Sequence, residues 1–281
     1  MKAGFQGVHG AYSEVATRKV LGPRCTAVPF DSFEEVFEAI ERGRVDRGVI
    51  PIENSLAGSI HQNYDLLLSH HLHIVAETHL RIEHVLMCHP SSSLRKLTEV
   101  RSHPQALAQC SNFFSKNKWL KPVADYDTAG AAKAIIENGS QFSGAIAGSY
   151  AAELYGLKIL KRHLENSPGN FTRFLVIGRT PWRPQRGIKA KCSIAFTPAK
   201  NTAGILFRIL GVFSLRDIDL LKIESRPDPR SPFEYLFYLD LAGSPKEERV
   251  MRALEHLQEM VTHFRLLGTY PVGKGEFYGG R

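Results

Sequence analysis

Short apolar runs alternate with stretches in which apolar residues recur every three or four positions, and this alternation continues from Met1 to Gly178. Expected strands are 3–6, 26–30, 47–50, 73–80, 84–88, 99–102, 123–125, 144–147, 158–160 and a buried run at 174–177. Expected helices lie between them: 12–20, one capped by Ser32, 60–68, a short one near Leu94, 104–114, one capped by Thr128 and reaching Glu137, and one from about Tyr150. The second helix shows the logic. Ser32 and Glu35 form a capping box, Phe33, Val36, Phe37 and Ile40 make an apolar face, and Gly43 ends it. Strand-then-helix repetition argues for an α/β domain, and its length and the return of the last strand allow two lobes with a cleft between them.

The pattern changes after a Pro- and Arg-rich linker at about 179–189. Strand 191–197, amphipathic helix 204–214, strands 219–226 and 233–241, charged helix 246–260 and strand 264–270 give βαββαβ, a ferredoxin-like module. The tail from Gly273 to Arg281 reads as frayed.

Composition narrows the classes. With 281 residues, 43% hydrophobic and 23% charged, the chain reads as an ordinary globular protein large enough for two domains. No apolar run is long enough to span a bilayer, and Met1-Lys2 leads straight into a strand without a signal-peptide core, so the expected compartment is the cytoplasm, with no membrane partner. Cys25, Cys88, Cys110 and Cys192 are far apart, lack metal-ligand spacing and are expected to be reduced packing residues. The net charge of +8 would suit an anionic ligand or nucleic acid, yet the basic residues are dispersed. Without a basic stripe, a helix-turn-helix or a stacking platform, nucleic acid is not the expected partner.

Candidate chemistry gathers at a few turns. Thr172 and Arg173 precede the apolar run Phe174 to Ile177, where a strand mouth can aim a hydroxyl and a fixed cation at an anion, although a solvated Arg at a strand edge needs no ligand. The loop Pro51-Ile52-Glu53-Asn54-Ser55-Leu56-Ala57-Gly58-Ser59 follows a strand end, where open α/β sheets bind ligands; Ser55 or Ser59 could equally cap the next helix. Ser102-His103-Pro104-Gln105 opens a helix on which Gln109 faces the same general side. His103 is a tempting acid, but one of 12 histidines is more often a packing or surface residue. Gly7 to Gly10 could present backbone N–H groups to an anion, or serve only the turn.

These segments, Gly7-x-x-Gly10 with Tyr12-Ser13, Pro51 to Ser55, Ser102 to Gln105 with Gln109, and Asn170-x-Thr172-Arg173-Phe174, resemble the motifs of the prephenate dehydratase family and stand in the same order. The C-terminal module is similar to an ACT domain, with Glu224-Ser225-Arg226-Pro227 matching its phenylalanine-sensing motif. Gly204-Ile205-Leu206-Phe207 stands where the family has a Gly-Ala-Leu-Val-like run, so two positions are bulkier. The resemblance implies a two-lobed catalytic domain, like type II periplasmic binding proteins, at 1–180, and a regulatory ACT domain at 189–275. It implies conversion of prephenate to phenylpyruvate, water and carbon dioxide in phenylalanine biosynthesis, without metal or cofactor, by a homodimer or homotetramer controlled by L-phenylalanine.

By the same resemblance Thr172 is the donor to the leaving hydroxyl, with Glu53 or a water chain completing the proton path. Arg173 is a candidate carboxylate clamp, or points away as alternate strand residues do. Asn54, Ser55, Ser102, Gln109, Asn170 and Phe174 are expected at the substrate, and Gly204, Ile205, Leu206, Glu224, Ser225, Arg226 and Pro227 at the effector. Arogenate dehydratase is the neighbouring alternative; a non-catalytic amino-acid-sensing binding protein is the alternative of another class.

Overall fold

The computed structural model describes residues 1–200, 202–227 and 234–273; the expected frayed tail beyond Gly273 and the first residue of the expected strand 233–241 lie outside them. Packing divides the chain into two units, Met1–Asn63 with Thr78–Phe174, and Tyr64–Glu77 with Leu175–Arg281.

In chain order the elements are β1 (Lys2–Gln6), α1 (Tyr12–Leu21), β2 (Thr26–Phe30), α2 (Phe33–Glu41), β3 (Arg47–Asn54), β4 (Gly58–Ser59), α3 (His61–Ser69), β5 (His73–Arg81) and β6 (Val85–Cys88). After a single 3-10 turn at Leu94–Lys96 come β7 (Glu99–Ser102), α4 (Pro104–Gln109), α5 (Ser111–Lys116), β8 (Lys121–Ala124), α6 (Thr128–Glu137), β9 (Ser143–Ala147), α7 (Ser149–Leu154), β10 (Lys158–Lys161) and β11 (Phe171–Gly178). The last module comprises β12 (Ala190–Pro198), α8 (Ile205–Ser214), β13 (Leu220–Pro227), β14 (Tyr235–Ala242), α9 (Glu248–Glu259) and β15 (Val261–Pro271).

One sheet has the order β2-β1-β3-β11-β5, with β4 paired to β3; a second has the order β10-β6-β9-β7-β8. Parallel pairs (β1 with β2 and β3, β7 with β8 and β9) are what strand–helix–strand repetition produces. The α2 face follows its pattern: Val36, Phe37 and Ile40 are fully buried, each stabilising by about 1.5–3 kcal/mol, and Ser32 Oγ accepts from Glu35 N–H at 3.2 Å.

Several boundaries differ from expectation for local reasons. Helix 104–114 breaks at Cys110 (φ −109°, ψ 19°) into α4 and α5. Asp127, not Thr128, caps α6 by accepting from Gly130 N–H. Strand β3 runs on through Pro51 to Asn54; its pairing with β1 ends at Val49, so on that side the missing proline N–H leaves no ladder bond unmade. Strand β11 starts at Phe171, which puts Thr172 and Arg173 inside the strand and not at its mouth.

In the second unit, β12 to β15 form an antiparallel sheet of order β13-β14-β12-β15 with α8 and α9, the ferredoxin-like arrangement. Its core joins Ile194, Phe196, Ile209, Phe213, Leu239 and Leu257. Segment Tyr64–Glu77 belongs to this unit although it precedes the linker by a hundred residues. Tyr64 packs against Tyr238 with the rings tilted by 56° (centroids 4.6 Å apart), and Arg265 donates to the carbonyls of Leu68 and His70. A Cβ on Gly268 would lie 2.2 Å from the Ile74 carbonyl oxygen, so only glycine permits this approach. Lys191 and Glu77 form an ion pair at 2.6 Å, with side-chain exposures of 2% and 0%. The four cysteines are buried thiols, and burial pushes Cys110 up to about 12 and Cys192 to about 11. Among the described residues no helix is long and apolar enough to cross a membrane.

Candidate active site

A two-residue period along β11 sends Thr172 and Phe174 to one face and Arg173 to the other. Thr172 and Phe174 line a pocket of about 350 Å³ inside the first unit, within the range of small-ligand sites. Its walls come from first turns of helices: Ala11, Tyr12 and Ser13 at α1, His103, Gln105 and Ala106 at α4, Asp127 and Thr128 at α6. Such turns carry the partial positive end of the helix and suit an anion. No lysine or arginine is among the described lining residues, so a carboxylate here would meet helix ends and neutral donors.

Thr172 is oriented by an amide. Between β3 and β4, Asn54 forms an Asx turn: its Oδ1 accepts from Leu56 N–H and Ala57 N–H, both at 3.0 Å. Those backbone donors leave no choice of flip, so Nδ2 points the other way, 2.8 Å from Asn170 Oδ1, 2.9 Å from Thr172 Oγ1 and 3.1 Å from Phe171 O. Because Oγ1 is the acceptor in this bond, the threonine's own proton is left for another acceptor. Asn170, fully buried, donates through Nδ2 to Gln109 Oε1 at 3.0 Å. The same Gln109 oxygen lies 2.9 Å from His84 Nε2, and His84 Nδ1 lies 2.9 Å from the Tyr12 hydroxyl.

The electrostatics follow burial. Burial lowers the His84 pKa, opposed by the Gln109 hydrogen bond and the Glu165 carboxylate, so the imidazole is neutral near pH 7. Burial, with Cys110, Glu165 and Glu83 nearby, pushes the Tyr12 phenol well above its usual range and keeps it protonated. Burial alone would raise Glu14, yet hydrogen bonds from Gly10 N–H, Arg18 and His9 hold its carboxyl below the usual value. That carboxylate anchors the glycine turn: Gly10 N–H donates to Glu14 at 2.8 Å and Gly7 N–H to Phe30 O at 2.9 Å. These two N–H groups are therefore spoken for within the protein, and the turn meets the pocket through Gly7.

Of the residues singled out from the sequence, Asn54, Gln109, Thr172 and Phe174 line the pocket, as does His103, whose Nδ1 accepts from Gln105 N–H at 3.2 Å. Arg173 lies behind it, paired with Glu53 at 3.0 Å, and neither residue lines the pocket. Arg173 thus stands in an ion pair with Glu53, the arrangement expected where alternate strand residues point apart. Ser55 ties its turn to β11, its hydroxyl donating to Gly169 O (2.7 Å) and accepting from Phe171 N–H (2.9 Å). Ser102 is fully buried and donates to Ile146 O at 2.6 Å, holding β7 to β9. Ser55 and Ser102 frame the pocket without lining it. Three lining residues carry chemistry the sequence reading left unassigned: Tyr12, His84 and Asp127. The last has a buried Oδ2 with no hydrogen-bond partner among the described residues. A cap preceding a helix, Asp127 before Thr128, is the signal that was available.

In the second unit, Gly204 takes a left-handed conformation (φ 77°) ahead of α8, and Ile205 and Leu206 begin that helix. On β13 the side chains alternate: Glu224 and Arg226 are half-buried, Ser225 and Pro227 exposed. Arg226 donates to both carboxylate oxygens of Asp65 on α3, at 2.8 and 2.9 Å.

Comparison with known proteins agrees with the motifs. Residues 3–181 match the prephenate dehydratase family model and residues 199–257 the ACT domain model. The chain is 46% identical to arogenate dehydratase/prephenate dehydratase 2, chloroplastic, of Arabidopsis thaliana, covering 97% of this chain and 73% of that protein. It is 44% identical to arogenate dehydratase 2 of Petunia hybrida, over 98% of this chain and 73% of that one. Among solved structures, prephenate dehydratase in complex with L-Phe from Arthrobacter aurescens superposes with a TM-score of 0.89 at 28% identity, covering 97% of this chain and 90% of that one. GqqA, described as a novel type of quorum quenching acylase, superposes with a TM-score of 0.89 at 33% identity over 99% of both chains. A two-lobed α/β pocket built from the family's motifs, a matching family model over most of the chain and relatives of over 40% identity make this chain a member of the prephenate dehydratase family of decarboxylating lyases, with a C-terminal ACT domain.

Proposed function

We propose that the chain converts prephenate to phenylpyruvate, water and carbon dioxide, with residues 1–180 as its catalytic region and 189–275 as its regulatory module. The observation that carries this reading is the Asn54 amide donating into Thr172 Oγ1, which leaves the proton of this pocket-lining threonine for another acceptor. In the reaction the bond from the ring to its carboxylate breaks, and the pair enters the ring as carbon dioxide leaves. The ring's C–O bond breaks with its own pair, and the departing oxygen takes the Thr172 proton to become water, the threonine recovering a proton from solvent. Aromatisation drives the change, so the protein supplies orientation and a donor at the leaving oxygen; donation from Asn54 polarises the Thr172 O–H for that task. Gln109 Nε2 and the helix first turns suit the carboxylates.

Asp127 favours a second reading. Arogenate carries an ammonium where prephenate has a keto oxygen, and an unpartnered carboxylate oxygen in the pocket is the group an ammonium would meet. Asp127→Asn is expected to lower kcat/KM for arogenate by about 10–100-fold, the weight of a charged hydrogen bond, and to spare prephenate. Wild-type kcat/KM on both substrates, read as phenylpyruvate and phenylalanine formation, decides between them; equal losses in the variant would remove Asp127 from substrate choice. For an acylase, by contrast, Thr172 would need a base to take its proton, and its hydrogen-bond partner is an amide donor.

Regulation is proposed to run through phenylalanine bound between paired ACT modules at Gly204 to Leu206 and Glu224 to Pro227. The ligand acts only by preferring one state of the protein. Phenylalanine is expected to change both the rate and the melting temperature; no change in either would refute the effector site.

A further inference from the structure

We infer that His84 is a positioning residue for this reaction: its Nε2–H is a second donor to Gln109 Oε1, beside Asn170 Nδ2, and reinforces the orientation in which the Gln109 amino group faces the pocket. The inference rests on the dehydratase reading above for its kinetic consequence, and on hydrogen-bond logic alone for its structural one.

Two backbone donors that cannot flip set the chain's direction. Leu56 N–H and Ala57 N–H fix Asn54 Oδ1 as an acceptor, so Asn54 Nδ2 donates and Asn170 Oδ1 accepts. Asn170 must then offer Nδ2 to Gln109, and Gln109 must answer with Oε1, at 3.0 Å. That oxygen is also 2.9 Å from His84 Nε2; an amide oxygen only accepts, so Nε2 carries the proton. The neutral ring then offers Nδ1 as an acceptor to the Tyr12 hydroxyl 2.9 Å away, whose single proton it shares with Glu83 O at 2.8 Å. His84 N–H is tied to Glu165 Oε2 at 2.9 Å, so backbone and ring are both held. His84 is 2% exposed, and burial favours its neutral form.

Gln109 Nε2 is consequently turned to the pocket, as a donor for an anionic substrate. Without a donor at the imidazole position, Gln109 Oε1 keeps its bond from Asn170 Nδ2 but loses the second one, and the side chain is held less tightly with its amino group toward the pocket. Tyr12, His84, Gln109, Asn170, Asn54 and Thr172 thus act as a single chain assembled from five separate segments.

Two measurements test this. Nitrogen-15 NMR of histidine-labelled full-length protein is expected to show His84 neutral with Nε2 protonated; the Nδ1-protonated tautomer would overturn the inference, whether or not the protein turns over prephenate. In kinetics with prephenate, His84→Leu is expected to lose about 10–100-fold in kcat/KM. His84→Gln, whose amide can donate from the Nε2 position, is expected to recover to within about fivefold of wild type. Loss in both variants at unchanged melting temperature would overturn it too. A wild type inactive on prephenate and arogenate would refute the dehydratase reading, and the tautomer would still decide the positioning one.

Discussion

Replacing Thr172 with alanine is expected to lower kcat on prephenate by about 10²–10⁴-fold, the usual contribution of a positioned proton donor. Thr172 is only 8% exposed, and its hydroxyl receives the Asn54 amide at 2.9 Å, so the change removes one oxygen from a formed site and leaves β11 intact. The split between constants is informative. If the hydroxyl acts on the leaving oxygen as its bond breaks, kcat and kcat/KM fall together while KM moves little. A rise in KM at constant kcat would mean that Thr172 only binds substrate. Thr172→Ser, which keeps the donor, is expected to retain most of the rate.

Replacing Lys191 with methionine is expected to destabilise the second unit by about 3–5 kcal/mol, because it strands a carboxylate that the fold has removed from water. Glu77 and Lys191 are 0% and 2% exposed at the side chain, and Glu77 also accepts from Gly273 N–H at 3.0 Å. Coulomb attraction between buried partners roughly offsets their desolvation, so loss of one partner costs far more than the pair contributes. For a chain of this size the expected fall in melting temperature is about 6–20 °C. Replacing Glu77 as well, in Lys191→Met/Glu77→Met, is expected to restore part of it, since an apolar pair leaves no stranded charge. A single mutant melting within about 2 °C of wild type would contradict this account of the pair.

The fold was legible where one local rule governs a segment. Period-two and period-3.6 patterns and the Ser32–Glu35 box located most elements, and the change of pattern near 179–189 separated the ferredoxin-like module. The place of Tyr64–Glu77 was not legible, because β5 belongs to the same alternation as its neighbours while Tyr64, Asp65 and Glu77 find their partners more than a hundred residues later. The pocket was legible as a set of motifs but not as a division of labour. Ser102 and Thr172 are both hydroxyls on strands; Ser102 Oγ goes to Ile146 O on β9, Thr172 Oγ1 faces the pocket, and only tertiary packing separates the cases. Arg173 shows how one residue of register decides a role. Once β11 begins at Phe171, alternation sends the guanidinium to Glu53, away from the face that Thr172 shares with Phe174. His84 gave no signal of its own, since its proton position is set by Leu56 and Ala57 through three intervening amides.

The central claim is that an amide-oriented threonine in this pocket promotes loss of water and carbon dioxide from a cyclohexadiene dicarboxylate. The measurement that tests it most directly is phenylpyruvate formation from prephenate by the purified wild-type chain and by Thr172→Ala, side by side. Steady formation by the wild type, reduced at least a hundredfold in the variant, is the predicted result. Equal rates in the two proteins, or none from the wild type on either prephenate or arogenate, would contradict it.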